Sequence, residues 1–244
     1  NIPDGTNINS LCGSTYPDRL QSYVLETGAD VGLAFDGDAD RLIAVDEHGQ
    51  LVDGDHILAI CGLDMKKRGL LKHNTVVGTV MSNLGLEITL KKQNCQLVKT
   101  KVGDRYVLEK MLQGGYNLGG EQSGHIIFLD YNTTGDGILT ALQLLSVLKR
   151  ENKKLSQLAN VMEKFPQVLV NARVNESKKN DYKQDPVIQQ EIKKIEDIFK
   201  ERGRVLVRPS GTEPLVRVMI EGEDQREIEE HAVMLARLIE ERLK

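Results

Sequence analysis

Asp36, Asp38 and Asp40 stand at every second position of "GLAFDGDADRLIAV", residues 32–45, inside an otherwise apolar run. Aspartate suits a strand interior poorly. Neighbouring carboxylates about 6.5 Å apart repel by roughly 2.5 kcal/mol at an effective dielectric near 20. A hard divalent cation offsets that repulsion. Mg²⁺ fits best, because it takes oxygen ligands in near-octahedral geometry and is commonly shared between protein carboxylates and a phosphate. The small Gly37 and Ala39 let the chain curl so that the acids converge, and Arg41 beside them suits a phosphoryl group. Three other readings compete. A solvated turn between strands accounts for Asp and Gly, but not for three alternating acids. An EF-hand calcium loop requires Gly at its sharp bend, where this chain has Arg41, and its flanks should be helical rather than strand-like. A phospho-aspartyl phosphatase, with Asp36 as nucleophile, meets Asp40 where Thr or Val belongs.

The elements that must hold this cluster alternate along the chain. "DVGLAF" and "RLIAVD" read as strands on either side of it. There follow a helix in "GDHILAICGLDMKKRGLL" capped by Asp53 or Asp55, a strand in "NTVVGTV", a helix in "NLGLEITLKKQN" and a strand in "QLVKTKV". "DRYVLEKMLQ" is a helix closed by Gly114 and Gly115, "GHIIFL" a strand, and "GDGILTALQLLSVLKRE" a strongly periodic helix. Such βαβα alternation predicts an α/β fold, with mainly parallel sheet covered by helices on both faces. After Pro166 the pattern changes. A strand in "QVLVNARV" precedes a polar stretch and an amphipathic helix from about residue 187 to 201; two strands joined by a turn in "RVLVRPSGTEPLVRVMIEGED" and a last helix from Gln225 follow. Closely joined strands predict antiparallel pairing, hence a smaller α+β domain. The expected divisions are residues 1–54, 55–165 and 166–244.

Bulk properties narrow the function. A net charge of -4, with no basic stripe interleaved with aromatics, argues against nucleic acid as a partner. No run approaches the roughly 20 apolar residues that cross a bilayer, so no membrane partner is expected. Cys12, Cys61 and Cys95 are odd in number and far apart, which writes no disulfide framework or zinc knuckle and points to a reducing cytoplasm. "NIPDGTNINS" lacks the charged and apolar regions of a signal peptide and lacks an initiator Met. The expectation is a processed protein or a portion of a longer one.

"DGDADR", "GEQSGH" and "RPSGTEP", in this order and spacing, resemble the three loops of the α-D-phosphohexomutase family. The amino-sugar branch matches best, through "PDGTNINSLCGSTYP", "KVGDRYV", "GGEQSGHIIF" and "RVMIEGED", and the similarity runs over essentially the whole chain. The resemblance implies three related α/β domains and a smaller C-terminal one. It also implies an enzyme that moves a phosphoryl group between a phosphoserine and a sugar, through a bisphosphorylated intermediate. In the amino-sugar branch the substrates are the 6- and 1-phosphates of glucosamine; glucose or mannose phosphates, and a non-catalytic phosphosugar-binding module, are the alternatives.

By the same resemblance Asp36, Asp38 and Asp40 hold Mg²⁺, and Arg41 touches the moving phosphoryl group. Glu121, Ser123 and His125 belong to a sugar loop whose glycines allow backbone to approach a ligand; a Gly-rich connection with a solvated Glu121 is the bland alternative. Arg208 and Arg217 pair with phosphate oxygens, while Ser210, Thr212 and the Gly211 amide donate to them; a plain hairpin turn explains Pro209 and Gly211 but not the arginines. Lys101 matches the family's candidate acid or base, although Asp104 and Arg105 follow Gly103 where the family often has His, and surface charge is the competing reading. The family's phosphoserine lies well before the metal loop. Ser10, Ser14 and Ser22 lack its context, so the expected partner is the N-terminal part of the same protein, and residues 1–244 alone are expected to be inactive.

Overall fold

The computed structural model describes residues 4–200 and 202–244, and the chain divides into two compact units, Asn1–Glu163 and Lys164–Lys244. Among the described residues no helix is long and apolar enough to cross a membrane.

In the first unit, helix α1 (Asp18–Thr27) leads into strands β1 (Val31–Phe35), β2 (Leu42–Asp46) and β3 (Leu51–Val52). These form an antiparallel sheet in that order, with Val31 opposite Asp46 and Phe35 opposite Leu42. Parallel pairing is confined to a second sheet, a narrower role than the alternation predicts. The reason is connection length: six residues separate β1 from β2, whereas a parallel crossover needs a dozen or more.

That second sheet grows from α2 (Gly54–Lys67), β4 (Thr75–Thr79), α3 (Leu84–Lys92), β5 (Gln96–Thr100), α4 (Asp104–Gly114), β6 (Leu118–Gly120) and β7 (Ile126–Phe128). Its order is β5-β4-β6-β7, with β4 parallel to β5 and β6, and β7 antiparallel to β6. Alternation along β4 sends Val76 into the larger core and Val77 into a smaller cluster with Val107, Met111 and Ile127. All of β4 is buried, as expected of a strand covered on both faces. Asp53, Asn83 and Asp136 cap α2, α3 and α5 (Gly137–Glu151) by accepting from His56 N, Gly85 N and Leu139 N. Short α6 (Leu155–Ala159) ends the unit's elements.

The second unit is an antiparallel sheet of order β8-β10-β9, formed by β8 (Gln167–Arg173), β9 (Gly203–Pro209) and β10 (Leu215–Gly222). Helices α7 (Pro186–Phe199) and α8 (Gln225–Leu243) share a core with it. Val216, Val218 and Ile220 of β10 meet Ile228, Leu235 and Ile239 of α8, all fully buried. Each such side chain contributes about 1.5–3 kcal/mol. The alternate residue Arg217 is thereby left off that apolar core.

Candidate functional site

The loop between β1 and β2 carries the three acids. Its curl starts with a turn in which Ala39 N donates to Asp36 O (3.2 Å), and Ala39 holds φ 59°, a left-handed conformation uncommon for a residue with a Cβ. One oxygen from each of Asp36, Asp38 and Asp40 lies within 4.8 Å of the others. An octahedral Mg²⁺ with oxygens at about 2.05 Å spaces neighbouring ligands by roughly 2.9 Å, so the three acids would draw inward to share one ion. The donor set, all carboxylate oxygen, is the kind such a hard ion takes.

Arg41 closes the loop. Its amide donates to Asp36 Oδ1 at 3.1 Å, while Nε stands 3.6 Å from Asp36 and 3.7 Å from Asp40, too far for hydrogen bonds. That buried Nε has no hydrogen-bond partner among the described residues. Desolvation, followed by the neighbouring Asp36, raises Asp40 above its ordinary value. Charge is concentrated there without full compensation.

The carboxyl ends of parallel strands are where open α/β sheets receive ligands, and the other candidate residues of this unit gather at such ends. Glu121 follows β6 directly; its Oε1 accepts from Gly103 N at 2.9 Å, which ties it to the loop after β5 that holds Lys101. Lys101 is exposed, with Nζ 5.8 Å from the Tyr106 ring centroid, and Arg105 pairs with Glu109 along α4. A turn brings Gly124 N onto Glu121 O (3.0 Å) and leaves Ser123 exposed. His125 is only 4% exposed: its Nε2 lies 3.5 Å from Asp40 Oδ2, and its backbone bridges Arg41. It therefore stands beneath the acidic loop.

Backbone contacts bind the two loops together, and these the sequence reading missed. Leu42 N donates to Gly124 O (3.1 Å), Gly54 N to Gln122 O (3.0 Å) and Gly137 N to Ala39 O (2.9 Å). A Cβ on Gly54 would strike Glu121 O and come within 2.9 Å of Gly124 N. The signal was present but ambiguous: Gly is an unfavourable first helical residue after a good Asp cap, in the "DGD" that opens α2 and the "DGI" that opens α5.

In the second unit, Arg208 and Arg217 sit directly opposite each other on β9 and β10. Like charges so placed repel. Arg217 reaches Glu213 Oε2 at 3.0 Å and Ser210 Oγ at 3.4 Å, yet the buried Nε of both arginines has no hydrogen-bond partner among the described residues. Burial, then Arg217, pulls Arg208 below the ordinary arginine value. Ser210 is buried with its amide on Leu215 O, whereas Gly211 and Thr212 are exposed at the tip, where a Cβ on Gly211 would meet open space. The arrangement is a pair of donors short of an anion.

A mixed α/β unit with an acidic, cation-competent loop and an α+β unit with paired arginines define the class. Residues 53–165 match the family profile "Phosphoglucomutase/phosphomannomutase, alpha/beta/alpha domain III", and residues 169–238 match the C-terminal domain of the same family. The chain belongs to the phosphoglucomutase/phosphomannomutase family. It is 64% identical over 241 residues to the phosphoglucosamine mutase of Alkaliphilus oremlandii and 63% identical over 243 residues to that of Acetivibrio thermocellus. These alignments cover 99% and 100% of this chain but 54% of each relative, so the chain spans about half their length. A crystal structure of Aspergillus fumigatus N-acetylphosphoglucosamine mutase with GlcNAc-6P and magnesium superposes at TM-score 0.76, with 22% identity, over 97% of this chain and 54% of that one. An N-acetylglucosamine-phosphate mutase in its product complex gives TM-score 0.73 at 23% identity, over 95% and 53%. Likeness at that identity is likeness of fold.

Proposed function

We propose that this chain is the metal-, sugar- and phosphate-holding portion of a phosphoglucosamine mutase, an enzyme interconverting the 6- and 1-phosphates of glucosamine. The observation that carries this reading is the convergence of three carboxylates within 4.8 Å beside an arginine whose buried Nε has no hydrogen-bond partner among the described residues. Asp36, Asp38 and Asp40 would hold Mg²⁺, which when bound supplies charge neutralisation at the transferring phosphoryl group. Arg41 adds a guanidinium to the same task. Glu121 and Ser123 hydrogen-bond sugar hydroxyls, and His125 steadies Asp40 from below. Arg208 and Arg217, with Ser210, Gly211 and Thr212, hold the phosphate that is not reacting. Lys101 is positioned on a loop tied to Glu121 and is the candidate to exchange the proton of the attacking hydroxyl.

In the reaction the Oγ–P bond of a phosphoserine breaks as a sugar oxygen bonds to phosphorus. The bisphosphate then turns, and its other phosphoryl group returns to the serine oxygen. The phosphoserine belongs to the enzyme outside the residues described above, so residues 1–244 should bind without turnover. Calorimetry with Mg²⁺, followed by amide NMR with glucosamine 6-phosphate, tests this. Saturable Mg²⁺ binding and shifts at Glu121 and Arg208 are expected. Absence of Mg²⁺ binding, or sugar phosphate shifts scattered away from both loops, sinks the reading.

A further inference from the structure

We infer that Gly137, the first residue of α5, is a positioning residue for the acidic loop, and that it sets the preference of that loop for a small, geometrically demanding cation. The inference rests on the reading of Asp36, Asp38 and Asp40 as a Mg²⁺ site. Gly137 lies 97 residues or more from the acids in sequence and holds no ligand atom. Its amide donates to Ala39 O at 2.9 Å. A Cβ at position 137 would stand 2.5 Å from Arg41 O and 2.8 Å from Ala39 O, both main-chain atoms that cannot swing aside as a side chain can.

Those two carbonyls bracket Asp40. Ala39 sits between Asp38 and Asp40 with φ 59°, a conformation that costs an L-residue about 1 kcal/mol or more and persists only where surroundings impose it. The Gly137 amide is the one backbone donor on the Ala39 carbonyl among the bonds described, and it comes from a helix anchored in the core by Ala141 and Leu144. The loop's curl is thus held from outside its own hairpin. Mg²⁺ demands near-ideal octahedral geometry at short distances, whereas Ca²⁺ accepts longer and irregular coordination. Loosening the curl penalises the first ion more than the second.

The test measures Mg²⁺ and Ca²⁺ affinity by calorimetry for residues 1–244 and for Gly137→Ala, with Gly28→Ala as control. Gly28 has positive φ (65°) and a Cβ there meets nothing within 4 Å, so its substitution strains the backbone away from the site without a steric clash. Gly137→Ala should lower Mg²⁺ affinity about tenfold or more and Ca²⁺ affinity less, so that the Mg²⁺/Ca²⁺ ratio falls; Gly28→Ala should leave the ratio alone. A folded Gly137→Ala protein with the parental ratio overturns the assignment. Should that variant not fold, the parent decides by NMR: a through-hydrogen-bond coupling from Gly137 N to the Ala39 carbonyl, and a Mg²⁺-induced shift of the Gly137 amide, are required. Absence of either overturns it. Failure of the parent to bind Mg²⁺ at all is a different result, one that removes the functional reading itself.

Discussion

The two units gather like charge by opposite means. In the first, three short carboxylates converge because the backbone curls, through a left-handed Ala39, a 3.2 Å turn and a grip from the start of α5. In the second, two long guanidinium side chains meet because a regular antiparallel register sets Arg208 opposite Arg217. An aspartate has one methylene between backbone and charge, so the main chain must do the placing. An arginine has reach, so an ordinary hairpin suffices. The acidic loop therefore depends on distant packing, and the arginine pair on its local sheet.

This contrast can be broken most sharply at the acids. Asp38→Asn, at an exposed position proposed above as a ligand, should lower Mg²⁺ affinity by about 100-fold or more, roughly 2.7 kcal/mol, by calorimetry. The same substitution should not lower the metal-free melting temperature, because it removes repulsion. A metal-free protein markedly destabilised by it would show that the acids support the fold rather than burden it.

Next in size is the arginine pair. Arg208→Gln should weaken binding of inorganic phosphate about 10- to 100-fold in an NMR titration, the loss of one or two charge-assisted hydrogen bonds. Because register rather than charge places these residues, the β9–β10 cross-strand contacts should survive in the NOE pattern. A disordered hairpin would erase the distinction drawn above.

A smaller effect comes from pH. Asp40 is raised in the folded state by desolvation and by Asp36. Its contribution is favourable below the unfolded value of 3.8 and is lost as pH rises through the higher folded value. Asp40→Asn should therefore gain melting temperature relative to the parent as pH rises through that window, and Mg²⁺ should close the gap by stabilising the parent alone. A gap that is constant with pH, or that persists at saturating Mg²⁺, removes this account.

The smallest change is expected at Arg105, whose guanidinium pairs with Glu109 on an exposed face of α4. Arg105→Ala should shift the melting temperature by no more than about 2 °C and leave Mg²⁺ affinity unchanged. A clear loss of metal binding would extend the acidic site along α4 and blur the local boundary on which the comparison rests.

Much of the fold was legible where period and punctuation agree. Helix α8 shows Ile228, Leu235 and Ile239 on one stripe, and its start at Gln225 follows the cap Asp224. Strand β6 was not legible: "LGG" has little strand propensity, and it is a strand because Val77 of β4 offers Gly119 a pairing edge. Strands β1 and β2 were legible, but neither β3 nor the separateness of their antiparallel sheet from the parallel one was. Of the candidate site, the residue types and their gathering into loops could be read directly. His125 illustrates the limit, since nothing in "GEQSGH" says that its ring turns beneath Asp40.

By itself the sequence determined most of the elements, the acids on one hairpin loop and the arginines flanking another, because periodicity, turn chemistry and charge act over a few residues. Tertiary structure alone decided that Gly137, Gly54 and Gly124 would meet the acidic and Glu121 loops backbone to backbone. Those contacts join segments as much as 98 residues apart, and their enabling feature is a missing side chain, which leaves no periodic trace.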